Sequence, residues 1–291
     1  MTKGIIFKAL SGFYYVKTDD GLIECKARGV FRKKQNAPLV GDEVVVSFTD
    51  ENRGVIDQIM PRLNCLIRPP VANIDLLAMV VAPKDPLPYL YNIDLLTVIA
   101  TKYNVECAVI ITKSDLDDCT DIKQVYEKTD FKVIETCSKL GTGMDEVKDL
   151  LSGKVCVFCG ASGVGKSTLI NSIFPHLNLE TGSLSEKISR GKNTTRTTEL
   201  FSFGNGTYLA DTPGFSSVNT ELYCAIEHTE LHKFFPEFAS HVGNCRYNDC
   251  THTKETECGI ADAVEKGIIS SQRHESYKKL YNELKNINRY K

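Results

Sequence analysis

The sequence predicts a multidomain chain: a small β-barrel, then a central α/β domain with a parallel or mixed sheet, then a helical C-terminal part. Three observations predict it. Residues 4–60 break into short β-rich runs separated by turn residues. From Asn73 onward, nearly continuous apolar runs alternate with segments of helical period. A glycine-rich loop, Gly160–Ser167, joins one such run to a helix, and a Cys/His cluster lies among the last helical segments.

The N-terminal runs are Gly4–Leu10, Phe13–Lys17, Leu22–Ala27, Glu43–Thr49 and Gly54–Met60, punctuated by Asp19-Asp20-Gly21 and Gly41-Asp42. Five short strands in so little chain suggest an OB-fold barrel. Pro61 and Pro69-Pro70 read as a linker. Ile74–Ala82 and Val105–Thr112 read as strands buried on both faces, because they lack polar alternation. Tyr89–Tyr103, Asp117–Lys128 and Met144–Leu151 read as helices, and Phe131–Thr136 as a strand. Lys154–Cys159 is the strand entering the glycine-rich loop, and Lys166–Phe174 is the helix leaving it. Glu199–Phe203 and Thr207–Ala210 read as a hairpin, and Glu221–Phe235, Ile260–Lys266 and Ser270–Asn286 as helices. The expected domains are therefore residues 1–68, 69–217 and 218–291.

Composition narrows the class. Of 291 residues, 42% are hydrophobic and 25% charged, which suits a globular chain. No apolar run reaches the ~18 residues of a membrane span. The start, Met1-Thr2-Lys3-Gly4, lacks the apolar core of a secretory leader. A cytoplasmic monomer is expected. Most of the 11 cysteines stand singly in apolar runs, as do Cys107, Cys156 and Cys159, and read as small buried hydrophobes. Net charge is -2, but residues 1–68 carry 11 Lys/Arg against 8 Asp/Glu, and residues 266–291 carry 7 against 2. Such basic ends suit nucleic-acid-facing appendages as readily as ordinary surface. His176, His228, His232, His241 and His274 read as packing or surface residues.

The loop Gly160-Ala161-Ser162-Gly163-Val164-Gly165-Lys166-Ser167, followed by Thr168, fits a phosphate-binding loop in its strand–loop–helix context. Its glycines let backbone N–H groups turn toward a β-phosphate, and the helix N-terminus adds its positive end. Lys166 is expected on the β- and γ-phosphates and Ser167 on Mg²⁺. Asp211-Thr212-Pro213-Gly214 follows a strand, as a switch sensing the γ-phosphate would: Asp211 toward Mg²⁺ through water, the Gly214 amide toward the phosphate. Between them, Gly191–Thr198 has the polar character of a first switch, in which Thr194 or Thr195 could supply a second Mg²⁺ hydroxyl.

Thr112-Lys113-Ser114-Asp115 ends the strand Val105–Ile111. A carboxylate there can accept from guanine N1 and N2, a donor pair adenine lacks, while the Lys113 stem lies over the base. Thr136-Cys137-Ser138-Lys139, after the next strand, suits backbone contact to guanine O6, with Cys137 and Ser138 at the base. In common GTPases the base-reading motif follows the phosphate loop, whereas here it precedes it. Cys245, Cys250, His252 and Cys258 offer three thiolates and an imidazole, a closed set for one structural Zn²⁺.

This ordered set, from the barrel through T-K-S-D, G-A-S-G-V-G-K-S-T, G-K-N-T-T-R and D-T-P-G-F to C-x4-C-x-H-x5-C, resembles the RsgA (YjeQ/YloQ) family over nearly the whole chain. The resemblance implies a circularly permuted GTPase that assists maturation of the bacterial small (30S) ribosomal subunit, with an OB-fold on 16S rRNA and a zinc-bearing helical domain. It also implies weak intrinsic hydrolysis of GTP to GDP, stimulated by the subunit. The family commonly has Asn where Thr112 stands and His where Asn193 stands. An amide cannot act as a base near neutral pH, so no base role passes to Asn193. Phe215, where Ras-like enzymes carry a water-orienting Gln, cannot orient water either. Two other readings stay open on the residues alone: a P-loop ATPase or kinase, which would not need T-K-S-D, and a non-catalytic RNA-binding module.

Overall fold

The computed structural model describes residues 1–32, 37–50, 52–66, 70–175, 199–211 and 226–287, with the backbone alone at Arg32 and Asp211. In chain order its strands and helices are β1 Thr2–Leu10, β2 Phe13–Thr18, β3 Gly21–Ala27, β4 Glu43–Asp50, β5 Arg53–Ile59, β6 Cys65–Leu66, β7 Val71–Ala72 and β8 Leu76–Val81. They continue with α1 Leu90–Lys102, β9 Glu106–Ile111, α2 Thr120–Tyr126, β10 Lys132–Glu135, α3 Met144–Leu151, β11 Val155–Cys159 and α4 Lys166–Ile173. β12 Glu199–Ser202, β13 Tyr208–Asp211, α5 Gly259–Glu265 and α6 Ser271–Asn286 complete the set. The described backbone forms two compact units: residues 1–77, 148–159 and 166–215 in the first, and 78–147, 160–165 and 216–291 in the second.

In the first unit the N-terminal strands close a barrel. β1 pairs with β2, β2 with β3, β3 with β5 in parallel, β5 with β4, and β4 returns to β1. That is the closure expected of an OB-fold, and it removes the exposed edges of a flat sheet. Alternation drives it: Val16, Ile23, Cys25, Val44, Val46 and Ile56 point inward and are buried. β1 also carries a bulge at Phe7, after which Lys8 pairs with Glu199 of β12. β12 and β13 form the expected antiparallel hairpin, and β13 lies parallel to β11.

The region read as a linker is built differently. Cys65–Leu66 and Val71–Ala72 pair as a hairpin. Asn64 bonds both backbone groups of Ile74, while Asn73 accepts from Leu63 N and donates to Gly41 O. Arg62 clamps the fully buried Asp42 with Nε and Nη2 at 2.6 and 2.8 Å. Asparagine side chains supply the order here.

In the second unit β9 pairs in parallel with β10, and β8 and β9 are nearly wholly buried, as their unbroken apolar sequence requires. A core joins α1 to the C-terminal segments through Tyr91, Leu95, Val98, Phe235, Phe238 and Tyr277. One predicted helix is corrected: the described part of Glu221–Phe235 is a 3₁₀ turn, His228–Phe234, ended by Pro236. Pro236 has no N–H to donate, so an α-helix cannot run through it unbroken. α2 is also shorter than Asp117–Lys128; ahead of it Asp118 accepts from Thr120 N and Oγ1 in a local turn.

Arg273 of α6 is fully buried and ties these pieces together. Its Nη1 donates to Asp94 Oδ1 at 2.9 Å and to Thr97 Oγ1 at 2.8 Å, and its Nε to Glu237 Oε1 at 2.7 Å. Tyr126 OH donates to the same Asp94 oxygen at 3.0 Å. Burial alone would lower the guanidinium's pKa, and the two carboxylates more than reverse it. We expect Arg273→Met to cost about 3–5 kcal/mol at pH 7, since two buried carboxylates lose their cation. Urea unfolding of parent and variant at pH 7 checks this, and equal stability of the two would contradict it.

Candidate functional site

In the first unit, β11 enters the glycine-rich loop and β13 runs beside it, Val157 opposite Ala210. The two strands are parallel, so the C-terminal end of β11 and Asp211 at the end of β13 lie side by side. Lys166 and Ser167 open α4 in the same unit. Burial pushes the Lys166 ammonium down from its ordinary value. Such a lysine gains from any anion that enters. The serine hydroxyl and a carboxylate at Asp211 are hard oxygen donors of the kind Mg²⁺ takes.

In the second unit, Gly160 has φ 146° and a Cβ there would meet Val80 O at 2.2 Å. Only glycine fits so close to a neighbouring strand. Gly163 and Gly165 follow at φ 80° and 99°, so the loop turns at every glycine that the motif specifies. Thr112 is 3% exposed and joins the T-K-S-D segment to this loop. Its hydroxyl lies 2.5 Å from Val164 O and 3.2 Å from Val81 O. It has one proton to give, and the nearer carbonyl takes it.

Lys113 has φ 56° and donates to Asp85 O at 2.5 Å. Asp115 accepts from Lys139 Nζ at 2.6 Å and from the Cys137 thiol at 3.5 Å. The Lys139 hydrogen bond, with smaller help from Cys137, holds the Asp115 carboxyl below its usual range. It is therefore an anion whose two oxygens already face donors, the arrangement that two guanine N–H groups would meet. Cys137 also pairs with Thr142 across a tight turn that presents Ser138 and Lys139.

Sequence reasoning missed Asp85 and the pairing of Lys139 with Asp115. Pro83–Pro86 signals a turn, but nothing in its spacing ties it to Lys113. Asn193, Thr194, Thr195, Gly214 and Phe215 lie outside the described residues, as do Lys33, Lys34, His176 and Arg289.

The Cys/His cluster is brought together as expected. One ligand atom from each of Cys245, Cys250, His252 and Cys258 lies within 4.8 Å of the others. Cys245 and Cys258 sulfurs are 3.9 Å apart, and His252 Nδ1 is 3.5 Å from each. A tetrahedron with Zn–S of ~2.3 Å and Zn–N of ~2.1 Å has edges of about 3.8 and 3.6 Å, so the donors fit a zinc ion. Four ligands leave no open position. Burial pushes the Cys250 thiol up to about 12, so a dication is what makes such thiols anionic at neutral pH. Gly259 N–H bonds the Cys245 sulfur at 3.3 Å. Burial would raise the Glu255 carboxyl, but bonds from Thr251 and from backbone N–H groups outweigh it and set it at about 2.

Two outcomes follow. Cys258→Ser should drop zinc content, read by elemental analysis, from about one ion per chain to a small fraction, and a full complement in the variant would contradict the ligand set. Thr112→Val should weaken GTP binding about 3- to 10-fold, the worth of one hydrogen bond, whereas Thr112→Ser keeps the donor and the affinity. Equal binding by all three proteins would show the hydroxyl to be idle.

The comparisons with known proteins agree with this geometry. The family model described as the RsgA GTPase matches residues 59–221, and that of the RsgA N-terminal domain matches residues 3–56. A relative from Alkaliphilus metalliredigens, a "Small ribosomal subunit biogenesis GTPase RsgA", is 41% identical, with all of both chains covered. Another of that name, from Ruminiclostridium cellulolyticum, is 42% identical over 100% of this chain and 96% of its own. Among solved structures, YjeQ from Thermotoga maritima superposes with a TM-score of 0.83 at 35% identity, covering 99% of each chain. YloQ, described as a circularly permuted GTPase, gives 0.78 at 32%, covering 99% of this chain and 96% of that one. A glycine-rich loop stapled to the upstream T-K-S-D segment, a barrel at the N-terminus and these matches along the chain place this protein in the RsgA family of circularly permuted GTPases.

Proposed function

We propose that this GTPase binds the small (30S) ribosomal subunit and acts in its late maturation, hydrolysing GTP to GDP and phosphate with stimulation by the subunit. The relatives' names support the setting. The observation that carries the nucleotide is the Thr112–Val164 bond, which holds base-reading and phosphate-binding segments together. In this reading residues 1–68 contact 16S rRNA, residues 69–217 hydrolyse GTP, and residues 218–291 form a zinc-stabilised helical domain. The protein works as a cytoplasmic monomer; among the described residues no helix is long and apolar enough to cross a membrane.

Guanine N1 and N2 donate to Asp115, displacing Lys139, while Lys113 lies along the base and Thr112, Ser114, Cys137 and Ser138 shape its pocket. The loop Gly160–Gly165, with Ser167 and Thr168 at the helix start, surrounds the phosphates. Lys166 neutralises charge on the β- and γ-phosphates as the bond to the leaving oxygen stretches. Ser167, Thr194 or Thr195, and Asp211 through water would hold Mg²⁺, which supplies further charge neutralisation there. The Gly214 amide contacts the γ-phosphate. Water attacks the γ-phosphorus, the bridging oxygen leaves with GDP, and the attacking water's proton passes to phosphate. Neither Asn193 nor Phe215 supplies a base, which accounts for slow turnover in the absence of the subunit.

Basic groups at both ends meet rRNA phosphate in this picture, and such contacts weaken as salt rises. Arg32, Lys33 and Lys34 are candidates on the barrel. In the tail, Lys285 is exposed, whereas Lys279 sits 3.9 Å over the Tyr91 ring and Lys278 pairs with Glu275. These two lysines must exchange partners before they can bind phosphate. In sequence the D-T-P-G run at Asp211–Gly214 precedes the C-terminal part directly, so loss of the γ-phosphate there changes subunit affinity in this reading.

GTP hydrolysis measured at fixed salt, with and without purified small subunits, tests the reading. Strong stimulation by small but not large subunits is the expected result, and tight GTP binding with no stimulation would point to a different partner. Asn193→His should keep or raise the stimulated rate, and a drop of about tenfold or more, roughly 1.4 kcal/mol of barrier, would refute the role given to this position.

A further inference from the structure

The barrel and the GTPase strands share an edge, and the register of that edge is specific. Lys8 of β1 lies opposite Glu199 of β12, and Glu199 lies opposite Asp211 of β13. Lys8, Glu199 and Asp211 therefore form one row across three adjacent strands. Residues directly opposite on paired strands share a face and interact. The first link of the row is an ion pair, Lys8 Nζ to Glu199 Oε2 at 2.7 Å, with both side chains about one-third exposed. A second contact runs alongside: the Phe7 ring meets the Tyr208 ring edge-on, with centroids 5.2 Å apart. Tyr208 begins the strand that ends at Asp211.

The bulge makes this possible. Between Ile6 and Lys8 the β1–β2 register shifts, and a bulge bends its strand and re-aims its side chains. Before the bulge, Thr2–Ile5 pair with β4 and close the barrel. After it, the same strand pairs with β12. One strand is thus part of the barrel wall and part of the frame that carries Asp211. Lys17 adds its ammonium over the Phe7 ring at 5.2 Å, tying β2 to the same point.

We infer that Lys8 and Glu199, supported by Phe7 and Tyr208, are positioning residues for Asp211, and that through them an RNA held by the barrel alters the metal-dependent step of GTP hydrolysis. The inference rests on the proposed roles of Asp211 and of the barrel. Its physical basis is short: a displacement of β1 has only one strand, β12, to cross before it reaches β13. Lys8 is also a cation partly open to solvent on the barrel's own strand, so a phosphate that drew it away would leave an uncompensated anion at Glu199, whose backbone pairs with that of Asp211.

The test uses the full-length protein, with Lys8→Met, Glu199→Gln and the exchanged pair Lys8→Glu/Glu199→Lys. The first readout is the factor by which Mg²⁺ tightens binding of a fluorescent GTP analogue, and the second is the ratio of hydrolysis with and without small subunits. Each single variant should lower both by about threefold, the scale of a partly exposed ion pair, and the exchanged pair should restore them. Binding of the analogue without Mg²⁺ should stay within about twofold of the parent, on the same scale, and this separates positioning of the metal from general damage to the fold. Phe7→Leu, which keeps the strand pairing, should lower the same two readouts. Unchanged Mg²⁺ tightening in both single variants, or an exchanged pair no better than either, would overturn the inference. If small subunits fail to stimulate even the parent protein, the ribosomal reading falls, and the Mg²⁺ readout still decides the role of Lys8 and Glu199.

Discussion

The hydroxyl of Thr112 carries a single proton, and Val164 O, 2.5 Å away, is in position to take it. The two residues are far apart in sequence, on either side of the order change that distinguishes this chain from an ordinary GTPase. A nucleotide must be held at both ends, by its base and by its phosphates. The two holding segments can occur in either order provided they meet in space. A buried hydrogen bond to a backbone carbonyl does this without depending on the intervening chain. It also requires Gly160 to pass within van der Waals reach of Val80, where a side chain would collide with the carbonyl. Rearrangement of the chain is therefore compatible with an intact site because packing and one directional bond define it, not connectivity.

Permutation has a second effect. The strand that ends in Asp211 lies in a hairpin whose partner, β12, pairs with the barrel's first strand. In sequence, the D-T-P-G run that begins at Asp211 lies between this hairpin and the Cys/His cluster. The barrel is closed by β1–β4 pairing around an alternating apolar interior. The C-terminal part combines a four-ligand Cys/His cluster with the buried Arg273 network. Removing water from an arginine and two acids is costly, and close pairing has to offset that cost. Here the guanidinium uses three of its nitrogens on Asp94, Thr97 and Glu237 and stacks on the Phe235 ring.

Much of this was legible in the sequence. The five barrel strands, the buried runs of β8 and β9, the glycines of the phosphate loop and the four zinc-type ligands each follow from short-range pattern. Period-two alternation, unbroken apolar runs, φ requirements and ligand spacing are properties of neighbouring residues, and backbone sterics enforce them locally. The failures are also local in origin. Pro61–Pro70 was read as a linker because prolines suppress strand signals, while the asparagine bonds that order it span ten residues or more. The helix expected at Glu221–Phe235 has good apolar spacing, yet its described part is a 3₁₀ turn.

By itself the sequence determined where the glycine-rich loop, the T-K-S-D run and the Cys/His set lie, since each is a short local run whose chemistry is set by residue type. Only the tertiary structure decided what those segments touch. It assigned the Thr112 proton to Val164, set Lys139 against Asp115, buried Arg273 between two acids, and aligned Lys8, Glu199 and Asp211 in one row. The physical reason is common to all four. Each depends on strand register or helix packing between residues distant in the chain, and a one-residue slip of a strand turns every side chain to the opposite face.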